Sequence, residues 1–220
     1  MKKLTKILSI LVISILSFTL MTGCGKVDPP ETFAQGFYDL LFHGDTTTLE
    51  SMGVPEDEIS PMKDFVKDEI SNSTKNNFKI AGLTITDEEL NSIVDAELNA
   101  LKKVQATITT ESSDKQTAVV KIKTNYINIT EVDEKAANDA LAEVQAMGIS
   151  DRQQLLDEFA KKYTAKLIEG LTALEPSEDT VEKSFSFTMQ KVDVSGKSKN
   201  MWVPENPTTL GKDVSTMVVK

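Results

Sequence analysis

Fifteen residues decide how this chain must be divided. From Ile7 to Met21 (ILSILVISILSFTLM) the side chains are apolar except for Ser9, Ser14, Ser17 and Thr19, and Lys2, Lys3 and Lys6 precede them. A stretch of this length falls short of the roughly 20 residues a permanent membrane-spanning helix needs, and a positive start followed by a short apolar run is the pattern of a secretory signal. The run ends at Met21-Thr22-Gly23-Cys24, and Cys24 is the one cysteine in 220 residues. No intrachain disulfide can form. A lone thiol placed directly after an apolar segment and a small residue is expected to be a processing and acylation point. The reading is a signal peptide over residues 1–23, cleavage between Gly23 and Cys24, and a diacylglycerol and an N-acyl chain on Cys24. Two or three fatty chains hold a protein stably on a bilayer where one is marginal.

The expected address is the outer face of the cell membrane, reached by the general secretory route. Removing the first 23 of the 220 residues leaves 197 and takes away three lysines and no acids, so the formal charge moves from −10 to −13. An acidic mature chain argues against nucleic acid as a partner and against electrostatic docking on anionic lipid, so attachment is expected to come from the acyl chains, with the domain held off the surface by charge. Residues 24–30 read as a short acylated tether, residues 31–210 as one domain, and residues 211–220 as a C-terminal tail.

Within the domain the hydrophobic period changes three times. Pro29 and Pro30 open a helix with Phe33, Phe37, Leu40 and Leu41 on one face, and Gly44 closes it. Ser60-Pro61 reads as the start of a second helix carrying Met62, Phe65, Val66 and Ile70 inward, and Thr86 with Glu89 is a capping box opening a third. Alternation then takes over: Val104, Ala106, Ile108 and Thr110, a turn over residues 111–116, and Val120, Ile122, Thr124 and Tyr126 predict a long hairpin with one wet face. Two more helices occupy about 131–174, the first carrying Val132, Ala136, Ala140, Leu141 and Val144 and the second opened by a Ser150/Gln153 box and striped by Leu155, Leu156, Phe159, Tyr163, Leu167, Leu171 and Leu174. Phe185, Phe187 and Met189 alternate in a last strand, and Met201-Trp202-Val203 is its expected partner beyond a Ser195-Gly196-Lys197 turn. The fold class is α+β: helices packed on a curved antiparallel sheet, with a helical pair inserted between two β-hairpins.

The opening helix ETFAQGFYDLLFHGD and the closing strand pair KSFSFTMQKVDVSGKSKNMW together resemble uncharacterised lipoproteins of low-GC Gram-positive bacteria that carry a domain of unknown function of about this length. More distantly the arrangement is similar to the cystatin-like and nuclear-transport-factor-2-like folds. The resemblance implies a Gram-positive cell-envelope protein with helices on a curved sheet, and it carries no catalytic string.

The chemistry-bearing residues are few. His43 is the single histidine and stands at a helix C-terminus, where the dipole favours a cation. Glu56-Asp57-Glu58, Asp87-Glu88-Glu89 and Glu178-Asp179 stand at helix starts or turns, where acids complement the dipole, and weak cation binding at residues 56–58 is the alternative. No phosphate loop, zinc motif or catalytic constellation is present. No catalytic residue, metal site or cofactor is therefore expected. Trp202, with Met201 and Tyr126, forms the candidate ligand or partner surface, because aromatic residues and methionine favour such sites; filling the core is the alternative for each. The expected function is a non-enzymatic binding domain for an envelope protein or small ligand. The rivals are a transporter's solute-binding component, and a small-pocket hydrolase or isomerase using Asp39 or Asp45 as base.

Overall fold

The computed structural model describes residues 27–194 and 197–220; the signal segment, Gly23, Cys24 and the Ser195-Gly196 turn lie outside the described residues. Pro30 stands in the first turn of helix α1 (Pro30–Tyr38), which continues as one wider π turn, Asp39–His43. Gly44 ends it in the left-handed conformation at φ 66°, which costs glycine nothing for want of a Cβ. After a short α2 (Thr47–Ser51) come the long α3 (Glu56–Ala81) and α4 (Asp87–Leu101). The start of α3 corrects the expected Ser60-Pro61 cap, since Pro55 is the N-cap residue and Pro61 lies inside the helix. The earlier start brings Ile59, 1% exposed, onto the face of Val66 and Ile70, so core burial outweighs the hydrogen bond that Pro61 cannot donate. The Met62 and Phe65 side chains lie outside the described set.

At α4 the capping box forms as read: Thr86 accepts from the Glu89 amide, and the Glu89 carboxylate accepts from the Thr86 amide at 2.9 Å. Strands β1 (Ala106–Ser113) and β2 (Thr117–Asn125) form the first hairpin, helices α5 (Ile129–Ala146) and α6 (Arg152–Ala173) the inserted pair, and β3 (Thr180–Val194) with β4 (Lys197–Pro204) the second hairpin. The strand order is β1-β2-β3-β4, antiparallel throughout, so the two hairpins join through β2 and β3 into one open sheet. The α+β class and the inserted pair are as expected. The first turn is tighter than read: β1 runs on to Ser113, and the Asp114 carboxylate accepts from the amides of Gln116 and Thr117. The α6 cap is Asp151, which accepts from the Gln154 amide at 2.8 Å, one residue beyond the expected Ser150.

The last residues are not a tail. Asn206 caps helix α7 (Pro207–Val218), with Pro207 in its first turn, and Leu210, Val214, Met217 and Val218 bury themselves in the sheet's own cluster. The spacing 210, 214, 217, 218 is helical, and Pro207 opens the helix. A parallel bridge between Ile127 and Val219 ties this end below β2.

Pairing places Ala118, Val120, Ile122 and Thr124 of β2 on one face with Phe185 and Phe187 of β3. Helix α1 covers that face, with Phe33 edge-on to Phe187 at 6.2 Å. The opposite face carries Thr109, Lys121, Glu182 and Ser184 to solvent, the wet side that alternation predicts. A second, smaller cluster (Phe78, Ile93, Ala96, Ala136, Leu167, Leu171) joins α3 and α4 to the α5–α6 pair.

Candidate functional site

At the open end of the second hairpin, β3 and β4 pair from Phe187↔Pro204 to Val194↔Lys197, whereas β2 ends opposite Thr188. The hairpin therefore projects past the first one. Met201 and Trp202 lie on this projection, only 5% and 6% exposed, because the segment leading into α1 and the end of α2 fold over them. Asp28, Pro29, Phe33, Met52, Asn200, Met201 and Trp202 line a shallow recess there, with an empty volume of about 170 Å³ that includes open solvent. Met201 and Trp202 are buried against that lining, so the recess is a seam between packed elements. Lys199 closes it, donating to Asp28 Oδ2 at 2.8 Å and to the Met52 carbonyl at 3.2 Å.

Tyr126 stands at the other end of the sheet, half-buried under the Lys220 ammonium, 5.1 Å from the ring centre, and its carbonyl accepts from the Ser177 amide. The structure thus brings Trp202 and Met201 together and leaves Tyr126 apart.

Asp39 and Asp45 are both occupied. The Asp39 carboxylate accepts from Gln35 Nε2 at 2.9 and 3.0 Å and lies 3.0 Å from His43 Nδ1, while Asp45 accepts from the amide and hydroxyl of Thr47. His43 Nε2 is 2.8 Å from the Val104 carbonyl. His43 thus has an oxygen partner at each ring nitrogen. It ties the π turn to the residue two positions before β1. Next to it Tyr38 shares a 2.6 Å hydrogen bond with the Thr124 hydroxyl, and burial pushes the phenol up to about 12, so it stays protonated.

A buried acid escaped the sequence reading. Glu97 is 9% exposed on α4, between the residues facing the sheet core (Leu90, Val94, Leu101) and those facing the helical core (Ile93, Ala96). Burial pushes its carboxyl up to about 7. Nothing in its local sequence marks it, since a helix with two apolar neighbours buries flanks that a one-sided stripe would expose.

Glu56 lies exposed at the start of α3, and the Asp57 and Glu58 side chains are outside the described set. Among the described residues no group of three or more His, Cys, Asp or Glu side chains is placed to hold a metal ion, and no helix is long and apolar enough to cross a membrane.

Comparison with known proteins bears on the fold. A crystal structure of a candidate lipoprotein (ycdA) of Bacillus subtilis subsp. subtilis str. 168 is similar over 87% of this chain, with a TM-score of 0.57 and 18% sequence identity. The chain spans 56% of that protein's length. No protein-family model matches the chain, and no curated protein does. At this identity the likeness is one of fold.

Proposed function

We propose that this chain is a lipoprotein of the Gram-positive envelope, cut between Gly23 and Cys24 and held on the outer face of the membrane by fatty chains on that thiol. The observation that carries the reading is the placement of the one cysteine, directly after Thr22-Gly23 at the end of a 15-residue apolar run with a lysine-rich start. Its fold likeness to a protein described as a candidate lipoprotein supports the same address. The α+β domain then serves as a non-enzymatic binding module. Its partner is a protein or a small ligand, and the recess at Met201 and Trp202 is a seam that Lys199 closes.

Replacing Cys24 tests the anchor. Wild-type protein made in cells fed labelled palmitate is expected to carry label and to enter the detergent phase on partitioning. Cys24→Ala is expected to lose both properties, and detergent-phase retention by that variant would overturn the proposal.

A further inference from the structure

We infer that the projecting end of the β3–β4 hairpin faces the bilayer, and that the Thr180 end of the sheet, from which the α5–α6 pair departs, faces away. This rests on acylation of Cys24. Covalent geometry limits the distance first. Cys24 is four residues before Asp28, and four residues span at most about 14 Å. Asp28 is itself fixed: its Oδ2 accepts from Lys199 Nζ at 2.8 Å, and the same ammonium donates to the Met52 carbonyl. Lys199 pairs across the sheet with Val192, two residues from the end of β3.

The lipid attachment point is therefore leashed to one end of a 15-residue strand whose two ends, at about 3.3 Å per residue, are separated by about 45 Å. A leash of about 14 Å keeps the hairpin end beside the headgroups whatever the tilt of the domain, and leaves the Thr180 end free to stand away from them. The Asp28–Lys199 ion pair, partly buried at 39% and 27% side-chain exposure, removes the slack that a free tether would have.

Charge points the same way. The mature chain carries a formal −13, and at the hairpin end Lys191 stands exposed while Lys199 is paired with Asp28. An anionic headgroup layer therefore repels the bulk of this domain, while the acyl chains hold the leashed end against it. The occupant of this face is thus an anionic lipid surface. The outward end presents Tyr126, the polar turn around Ser177 and the start of the helical pair.

The test uses the acylated mature protein on vesicles of phosphatidylglycerol and phosphatidylcholine with a headgroup acceptor dye. Acylation blocks Cys24, so a donor dye can be placed on Lys191→Cys or on Asp179→Cys, both exposed positions at opposite ends of β3. Energy transfer is expected to be several-fold stronger from position 191. In an Asp28→Asn background the contrast between the two positions is expected to shrink while vesicle binding persists. Equal transfer, or stronger transfer from position 179, with the protein bound to vesicles overturns the orientation and leaves the anchor standing. Protein that carries no acyl chain and stays off the vesicles overturns both.

Discussion

Where α1 meets the sheet, the buried side chains are Phe33, Phe37, Tyr38, Phe185 and Phe187; along α5 they are Ala136, Ala140 and Val144, and along α6 Ala160, Thr164, Leu167 and Leu171. Among the described residues the sheet cluster unites thirty buried apolar side chains from both ends of the domain, and the helical cluster six. A fully buried phenylalanine is worth about 1.5–3 kcal/mol over exposure, and an alanine much less. The sheet region is held by large rings that reach across the chain. The helical pair is held by close approach and by its edges: Gly170 packs against Val132, and the Glu143 carboxylate receives Lys162 and Lys166 at 3.1 and 2.7 Å. The lesson is that one domain contains a cohesive body and a lightly docked arm.

The strongest way to break this comparison is to remove a ring from the body. Phe187→Ala is expected to cost about 3–5 kcal/mol in urea unfolding, since it leaves a cavity beneath Phe33. Next comes Leu171→Ala, 1% exposed in the helical cluster, with an expected cost of about 3 kcal/mol. If the arm is separately docked, this variant loses amide protection in α5 and α6 first and leaves β2 and β3 protected. Uniform loss across the domain would merge the two regions into one unit.

Glu97 lies on the seam between them and gives a pH-dependent test. Its folded-state pKa, raised by burial to about 7 from 4.5, means that the folded protein prefers the protonated acid. Stability is therefore fully present below about pH 4.5, falls as pH rises towards 7, and levels off above that. Glu97→Gln is expected to gain about 2–3 kcal/mol over wild type at pH 8 and nothing at pH 4, read from paired thermal or urea curves.

Smaller effects sharpen the arm itself. A Cβ at Gly170 would stand 2.6 Å from Val132 Cγ1, on a stiff β-branched side chain. Gly170→Ala is expected to cost about 1–2 kcal/mol of packing, offset in part by about 1 kcal/mol of helix propensity. In a Val132→Ala background the same change should turn stabilising, and a double-mutant cycle measures the switch. The smallest effect belongs to Glu143→Gln. It removes the exposed pairs with Lys162 and Lys166, whose hydrogen bonds hold the carboxyl below its usual range, and its slight loss of stability should vanish in high salt.

What the sequence made legible follows the range of the interactions. The capping box of Thr86 and Glu89, the left-handed end at Gly44 and the alternation of Val120, Ile122 and Thr124 are local patterns, and each stands where it was read. The wrong starts at Ser60 and Ser150 were local as well, but there a neighbouring residue won: Ile59 pulled α3 earlier to reach the core, and Asp151 displaced Ser150 as the cap. The α7 stripe was present in the sequence, and the reading of residues 211–220 as a tail passed over it. The features that shape the candidate site were out of reach. His43 meets Val104 across 61 positions and Lys199 meets Asp28 across 171, and no periodicity announces such pairs. Trp202 illustrates the limit: its position in a strand was readable, but its burial depends on how the segment from Asp28 to Met52 folds over it.

Native-state hydrogen exchange of the acylated protein on vesicles, resolved by peptide, tests the division into body and arm most directly. Peptides from α5 and α6 are expected to exchange through an opening of lower free energy than peptides from β2 and β3, which should exchange only with global unfolding. A single opening free energy shared by all four elements would contradict the account.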